Sequence, residues 1–269
     1  MLWTKAKITI AVGVGLLLAV GITTSQLKKH KPFNGESEID AYISDQNLED
    51  YKNAPELAVI QPTHFPKHSG VTGHFETREN KFVGRDNSLK DMIVAAYEFH
   101  TPRIVFPDTM PMNRYDFLIT VSNQPREQFQ SEIEKVLGYS ARKETRDVDI
   151  QVLKVADSAI GKLKAGRKGQ SARLDSAGRP TGSAFNYSNH PVSVLAEALE
   201  YRFRMPVIDR TGLVGNYDMV VDFHWTGDWN GKDREANLNS LKKTILDQLG
   251  LELVPSREPV EMLVVERVK

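Results

Sequence analysis

The chain has 269 residues, 35 basic and 35 acidic side chains, and no cysteine. Balanced charge leaves no net field to draw in nucleic acid or an acidic substrate, so no nucleic-acid partner is expected. The missing cysteines exclude a disulfide framework, thiol catalysis, iron–sulfur ligation and a lipoprotein attachment residue.

In chain order, Lys5 and Lys7 precede an apolar run from Ile8 to Ile22, with Lys28, Lys29 and Lys31 beyond it. A basic lead and an apolar stretch of about 15 residues fit a secretory signal. A bilayer span needs about 20. Small residues between Ala19 and Ser25 permit cleavage but form no clean A-x-A site, so residues 1–27 read as a signal peptide or a signal anchor. Either way the body is expected outside the cytoplasm. It is then periplasmic, or anchored in the inner membrane through residues 8–22.

Residues 28–56 read as a polar spacer with one helix on the stripe Ile39, Tyr42, Ile43 and Leu48. A first α+β unit is expected over 57–160. Leu57 to Ile60 is a strand that Pro62 ends, and Gly73 to Val83 is a hairpin strand pair. Asn87 or Ser88 caps a helix with Leu89, Met92, Ile93, Ala96 and Tyr97 inward. Ile104 to Phe106 is a short strand, Pro107 to Asn113 a turn-rich connection, and Tyr115 to Val121 a second strand. Pro125 opens another helix with Phe129, Ile133, Val136 and Leu137 inward, and Gly138 stops it. Val148, Ile150 and Val152 then line a buried strand face.

Residues 161–182 are rich in Gly, Ser, Lys and Arg and read as a flexible linker or loop. Its basic residues, Lys162, Lys164, Arg167, Lys168 and Arg173, are expected to be solvated. A second α+β unit follows over 183–269. Phe185 to Ser188 is a strand, and a helix carries Leu195, Ala198, Leu199 and Phe203 inward. Val207-Ile208 is a short strand, and Asp209 to Asp218 is a turn into the strand Met219 to Trp225. A polar insertion spans Thr226 to Ala236. A last helix carries Leu238, Leu241, Ile245 and Leu249, and Gly250 stops it. Leu251 to Val254 and Val260 to Val268 are expected as two further strands.

The two units read alike. Tyr115-Asp116 matches Tyr217-Asp218, and Leu137-Gly138 matches Leu249-Gly250. Val148, Ile150 and Val152 match Val260, Met262 and Val264. So many elements in one order point to duplication. The expected fold is α+β: two related helix-strand-strand-helix-strand units with small mixed sheets, behind an N-terminal hydrophobic segment.

The run Asn87-Ser88-Leu89-Lys90-Asp91-Met92-Ile93 with Ala95-Ala96-Tyr97 resembles a known group. So do Pro206 to Leu213, Gly215-Asn216-Tyr217-Asp218, and the ending from Leu249-Gly250-Leu251 through Pro259-Val260-Glu261 to Val265. Together they resemble the large soil-associated family of exported bacterial proteins catalogued as a domain of unknown function. The likeness runs from about Leu57 to the end. It departs from the family pattern at Leu57-Ala58-Val59-Ile60 and at Arg103 to Met112. The resemblance implies domains that stand alone behind a signal sequence or are attached to membrane-bound sensor peptidases of the antirepressor type. It carries over no catalytic residue. Each unit is more distantly similar to the short N-terminal domains of secretins and TonB-dependent receptors, a fold-level analogy.

Candidate chemistry is sparse. His64, His68 and His74 form the densest histidine group, but Pro66 and Gly70 break the helix that His-x3-His metal ligation needs. His190, Asp209, Asp218, Asp222 and His224, with Ser188 or Ser193, could be drawn as a hydrolytic set. No Gly-x-Ser-x-Gly elbow accompanies them. Asp218, Asp222 and His224 are expected to share one strand face with Val220. No catalytic, metal or cofactor residue is therefore assigned.

The sharpest local motif is Asp209-Arg210-Thr211-Gly212-Leu213-Val214-Gly215, whose glycines suit positive φ in a tight connection. Trp225 and Trp229 with Tyr217, Phe223 and Asp228 could form an aromatic platform. The candidate binding surface is thus Trp225, Trp229, Tyr217, Gly212 and Gly215. The expected role is a non-enzymatic binding module meeting an envelope protein or peptide, with strand addition at a sheet edge as one route. The alternatives are an extracytoplasmic sensor domain working with a membrane peptidase, or an envelope hydrolase.

Overall fold

The computed structural model describes residues 39, 42–43, 51, 54–63, 81–157, 162–166, 185–227 and 230–268, and the backbone of 74–78. The fold is α+β, built from two related units. The first contains β1 (Ala58–Pro62), β2 (His74–Arg78), β3 (Lys81–Ser88), α1 (Leu89–Tyr97), β4 (Ile104–Val105), β5 (Arg114–Ile119), α2 (Pro125–Glu132) and β6 (Tyr139–Val155). The second contains β7 (Lys164–Ala165), β8 (Phe185–His190), α3 (Val192–Phe203), β9 (Val207–Asp209), β10 (Tyr217–Val221), α4 (Arg234–Leu249) and β11 (Leu251–Arg267).

Local chemistry explains the helix ends. Ser88 accepts from the Asp91 amide at 3.2 Å while Asp91 accepts from the Ser88 amide at 2.9 Å, a reciprocal box that starts α1. Gly138 and Gly250, at φ 72° and 71°, take the left-handed conformation that ends the second helix of each unit.

The duplication extends to sheet register. In the first unit β3 pairs with β5 through Phe82↔Ile119 and Gly84↔Phe117, then shifts before Asn87↔Tyr115. In the second, β8 pairs with β10 through Phe185↔Val221 and Tyr187↔Met219, then shifts before His190↔Tyr217. Pro62 lies opposite Tyr115 as Ala165 lies opposite Tyr217, so β1 and β7 are also equivalents.

A third sheet, ordered β4-β11-β6-β9, joins the units. The 17-residue strands β6 and β11 pair antiparallel along their whole length, from Leu251↔Val155 to Arg267↔Tyr139. The middle pair is Asp147↔Pro259, where a local twofold axis relates one unit to the other. Each short strand crosses over: β4 runs parallel to β11 at Leu263, and β9 runs parallel to β6 at Gln151. Leu263 and Gln151 are each the thirteenth residue of their strand, so the exchange obeys the same axis.

Four apolar cores follow among the described residues, three of them on the units and their ribbon. α1 and α2 close the first, where Phe129 rests 4.7 Å from Phe117 and 5.5 Å from Phe82, ring to ring. α3 and α4 close the second around Leu195, Leu199, Met219, Val221, Leu241 and Ile245. The third sits on the ribbon, with Ile150, Val260 and Met262 buried and Val148 and Val152 packed against them.

Several expectations change. Lys164 and Ala165, within the expected linker, form β7 against β10, and the strand expected over Met219 to Trp225 is β10, Tyr217–Val221. Val136 points outward, 45 % exposed, because the chain widens into a π turn over Ile133–Leu137 and shifts the inward face. The two strands expected after Gly250 are one, β11. Pro255 and Pro259 resemble turn residues but lie where, among the described residues, no strand flanks the outer side of β11, since β4 covers only Leu263 and Val264. A missing N–H there costs no ladder bond on that side. Of the spacer stripe, Ile39 and Ile43 are buried with Tyr51 against Val83 and Leu118, and Leu48 lies outside the described residues.

Candidate binding surface

The matched Tyr-Asp pairs serve the frame. In each unit the Asp carboxylate accepts a hydrogen bond from a residue in the left-handed conformation just ahead of a helix. Asp116 takes the Asp86 amide at 2.9 Å, with Asp86 at φ 52°. Asp218 takes the Asn189 amide at 2.9 Å, with Asn189 at φ 57°. Each bond pins the sheet shift that turns β3 into α1 and β8 into α3. Gly166 belongs to the same device: a Cβ there would come within 2.7 Å of the Asn189 backbone.

The Asp209 turn is also built into the frame, its Arg210 amide donating to the Leu153 carbonyl at 2.8 Å. The Asp209 carboxylate accepts from the Thr211 amide at 2.9 Å and the Thr211 hydroxyl at 2.7 Å, and that hydroxyl accepts from the Leu213 amide at 3.2 Å. Gly212 and Gly215 have φ 66° and 110°, and a Cβ on either would meet nothing within 4 Å. Backbone conformation, not close approach, is what asks for glycine there. Tyr217 packs on the second core, and its hydroxyl donates to the Val214 carbonyl at 3.3 Å. Trp225 also packs on that core, edge-on to Phe223 at 6.3 Å. Trp229 and Asp228 lie outside the described residues.

Val214, at the tip of this turn, is 94 % exposed, and so is Met112. Each stands three residues ahead of its unit's Tyr-Asp pair, so the units show an apolar tip at the same place.

Asp222 and His224 fall beyond the end of β10, outside the shared strand face expected for them with Asp218. The Asp222 amide and carbonyl are both bound by the Gln248 side chain, at 2.8 and 3.3 Å, which takes the chain out of the sheet. His190 ends β8 opposite Tyr217. The Asp209 carboxylate is held by Thr211 within its turn and the Asp218 carboxylate by the Asn189 amide. His64 and His68 lie outside the described residues, and of His74 only the backbone is described. Among the described residues no three His, Cys, Asp or Glu side chains form a metal-ligating group.

One polar cluster has no counterpart among the motifs read from sequence. Glu200, fully buried on α3, accepts from Arg103 Nε at 2.8 Å and Nη2 at 2.5 Å and from the Val207 amide at 3.0 Å, all on Oε1. His100 Nδ1 lies 3.2 Å from its Oε2. Arg103 and His100 belong to the first unit, so one carboxylate ties the units together beside β9. Its sequence signal is position: Ala196, Leu199, Glu200 and Phe203 make one inward helical stripe with a charge in it.

The first sheet is ordered β1-β5-β3-β2 and the second, among the described residues, β7-β10-β8. Phe185 and Tyr187 share the face turned to the second core, 6.3 Å apart ring to ring, and the Arg202 guanidinium lies 5.7 Å over the Phe185 ring. Burial raises the Tyr187 pKa and lowers that of Arg202.

These features define a duplicated α+β protein in which two units exchange short strands across a shared ribbon. Residues 90–268, about two thirds of the chain, match the family DUF3738, described as a protein of unknown function, and the chain belongs to that family. No curated protein and no solved structure matches the chain. Among the described residues no helix is long and apolar enough to cross a membrane.

Proposed function

We propose that this chain is an exported cell-envelope protein, periplasmic or held to the inner membrane by residues 8–22, that acts as a binding module and not as an enzyme. The observation that carries the reading is the pair of exposed apolar tips, Met112 and Val214, that two otherwise matched units present at the same place ahead of their Tyr-Asp strands. The basic and apolar N-terminus supports export, as does the likeness to soil-associated exported proteins. Commitment of Asp116, Asp209, Asp218 and Glu200 to hydrogen bonds within the frame supports a non-catalytic role.

The test is crosslinking and capture from envelope fractions with the N-terminal segment intact. The reading expects the chain in the envelope fraction with a defined co-captured protein. A chain found only in the cytoplasm, or one crosslinked to nothing beyond a random-sequence control, would overturn it. Capture of a membrane peptidase would place the module in a sensor.

A further inference from the structure

We propose that Met112 is a peroxide-sensitive site, whose oxidation to the sulfoxide turns one of the two apolar tips polar and weakens docking at the pair. This gives a regulation to the tips that carry the binding module proposed above, and it rests on that reading. The chain has no cysteine, so its oxidisable sulfur is all in methionine. Burial decides which of those sulfurs a dissolved peroxide reaches. Met92 and Met219 have no exposed surface, and Met262 is buried on the ribbon. Met110 is half-buried against the first core. Met205 is half-buried against the second, where its sulfur accepts from the Gln151 side-chain amide at 3.6 Å. Met1 lies outside the described residues. Met112, by contrast, is exposed over nearly its whole surface, with exposed Asn113 beside it.

Hydrogen peroxide or an organic hydroperoxide supplies the oxygen. The thioether sulfur attacks one peroxide oxygen, and an S–O bond forms as the O–O bond breaks. The proton of the transferred oxygen passes to the leaving oxygen, which departs as water or an alcohol. Sulfur gives up two electrons and the peroxide takes them. The return step needs a dithiol reductant from outside this cysteine-free chain, which becomes a disulfide as the sulfoxide oxygen leaves as water.

Exposure also makes the change harmless to the fold. A sulfoxide is polar, so at Met92, Met219 or Met262 it would put an oxygen into a core. At Met112 it meets water, and only a contact made with a partner is lost. The second unit answers differently, because its matched tip is Val214, which has no sulfur. One tip is therefore sensitive and the other inert, so oxidation weakens the pair in part and reversibly.

The test treats the full chain with hydrogen peroxide, follows each methionine by mass spectrometry, and then crosslinks the chain to the envelope fraction used above. Met112 should oxidise at least about tenfold faster than Met110 or Met205. At that dose the melting temperature should hold, while capture falls about fivefold through the loss of roughly 40 Å² of apolar contact. Each variant is compared with its own untreated sample. Met112→Leu should keep its capture within about twofold, and Val214→Met, with a sulfur at both tips, should lose about 25-fold. A dithiol-driven sulfoxide reductase should restore the unsubstituted chain. Oxidation of Met110 or Met205 as fast as that of Met112 would overturn the site. Capture indifferent to Met112 oxidation, or lost equally by Met112→Leu, would overturn its effect on docking. No capture by either form would remove the module reading and the docking effect with it, while fast oxidation of Met112 would stand by itself.

Discussion

Removing Arg103 should cost more stability than removing the charge of Glu200, although the two groups form one pair. Glu200 has no exposed surface, while the Arg103 side chain is 30 % exposed. Arg103→Ala strands a buried carboxylate with the Val207 amide and His100 as its remaining partners. Stranding one member of a buried pair costs about 3–5 kcal/mol, and full burial puts this case toward the upper end. Glu200→Gln keeps an oxygen for the Val207 amide and leaves a guanidinium that reaches water, so about 1–2 kcal/mol is expected. In the double variant the losses should fall short of additive, because the second substitution removes a group already stranded. Urea unfolding of the four chains supplies the cycle, read as midpoint shifts at constant m. An Arg103→Ala cost under about 1 kcal/mol, or simple additivity, would refute Glu200 as the tie between the units.

Three further outcomes follow from the same geometry. Asp116→Ala should lose about 1–3 kcal/mol and Asp218→Ala less, since each frees the amide of a left-handed residue but only Asp116 is fully buried; thermal unfolding ranks them. Met112→Ser and Val214→Ser should each shift stability by no more than about 0.5 kcal/mol, as both side chains already face water; the same melts check this. Burial raises the pKa of Tyr97, Tyr115, Tyr187 and Tyr201. A raised folded pKa gives stability that is whole below the unfolded value of about 10 and is lost as pH rises through the folded value. Absorbance titration of phenolate should therefore show ionisation lagging that of the unfolded chain, with urea midpoints falling only above that pH.

The helices were legible because their inward residues recur at the helical period and their ends carry strong signals: Ser88 at one start, Gly138 and Gly250 at two stops. The Tyr-Asp pairs and the stop glycines exposed the duplication, and the register of β3 with β5 and of β8 with β10 follows it. The ribbon was hidden for a physical reason. Its centre, from Arg142 to Asp149, is mostly charged, so apolar alternation is lost there while backbone pairing continues. Pro255 and Pro259 read as turn residues because local sequence does not record which side of a strand is paired. Glu200 escaped notice because Arg103 lies 97 residues away and pairing at that range leaves no periodic trace. Of the aromatic platform, Tyr217 and Trp225 pack on the second core.

Amide hydrogen exchange resolved along β6 and β11 of the full chain tests the central claim, two matched units on one shared ribbon, most directly. The account predicts matched slow exchange at positions related through the Asp147–Pro259 centre. Slow exchange on one strand with fast exchange at the related positions of the other would contradict it.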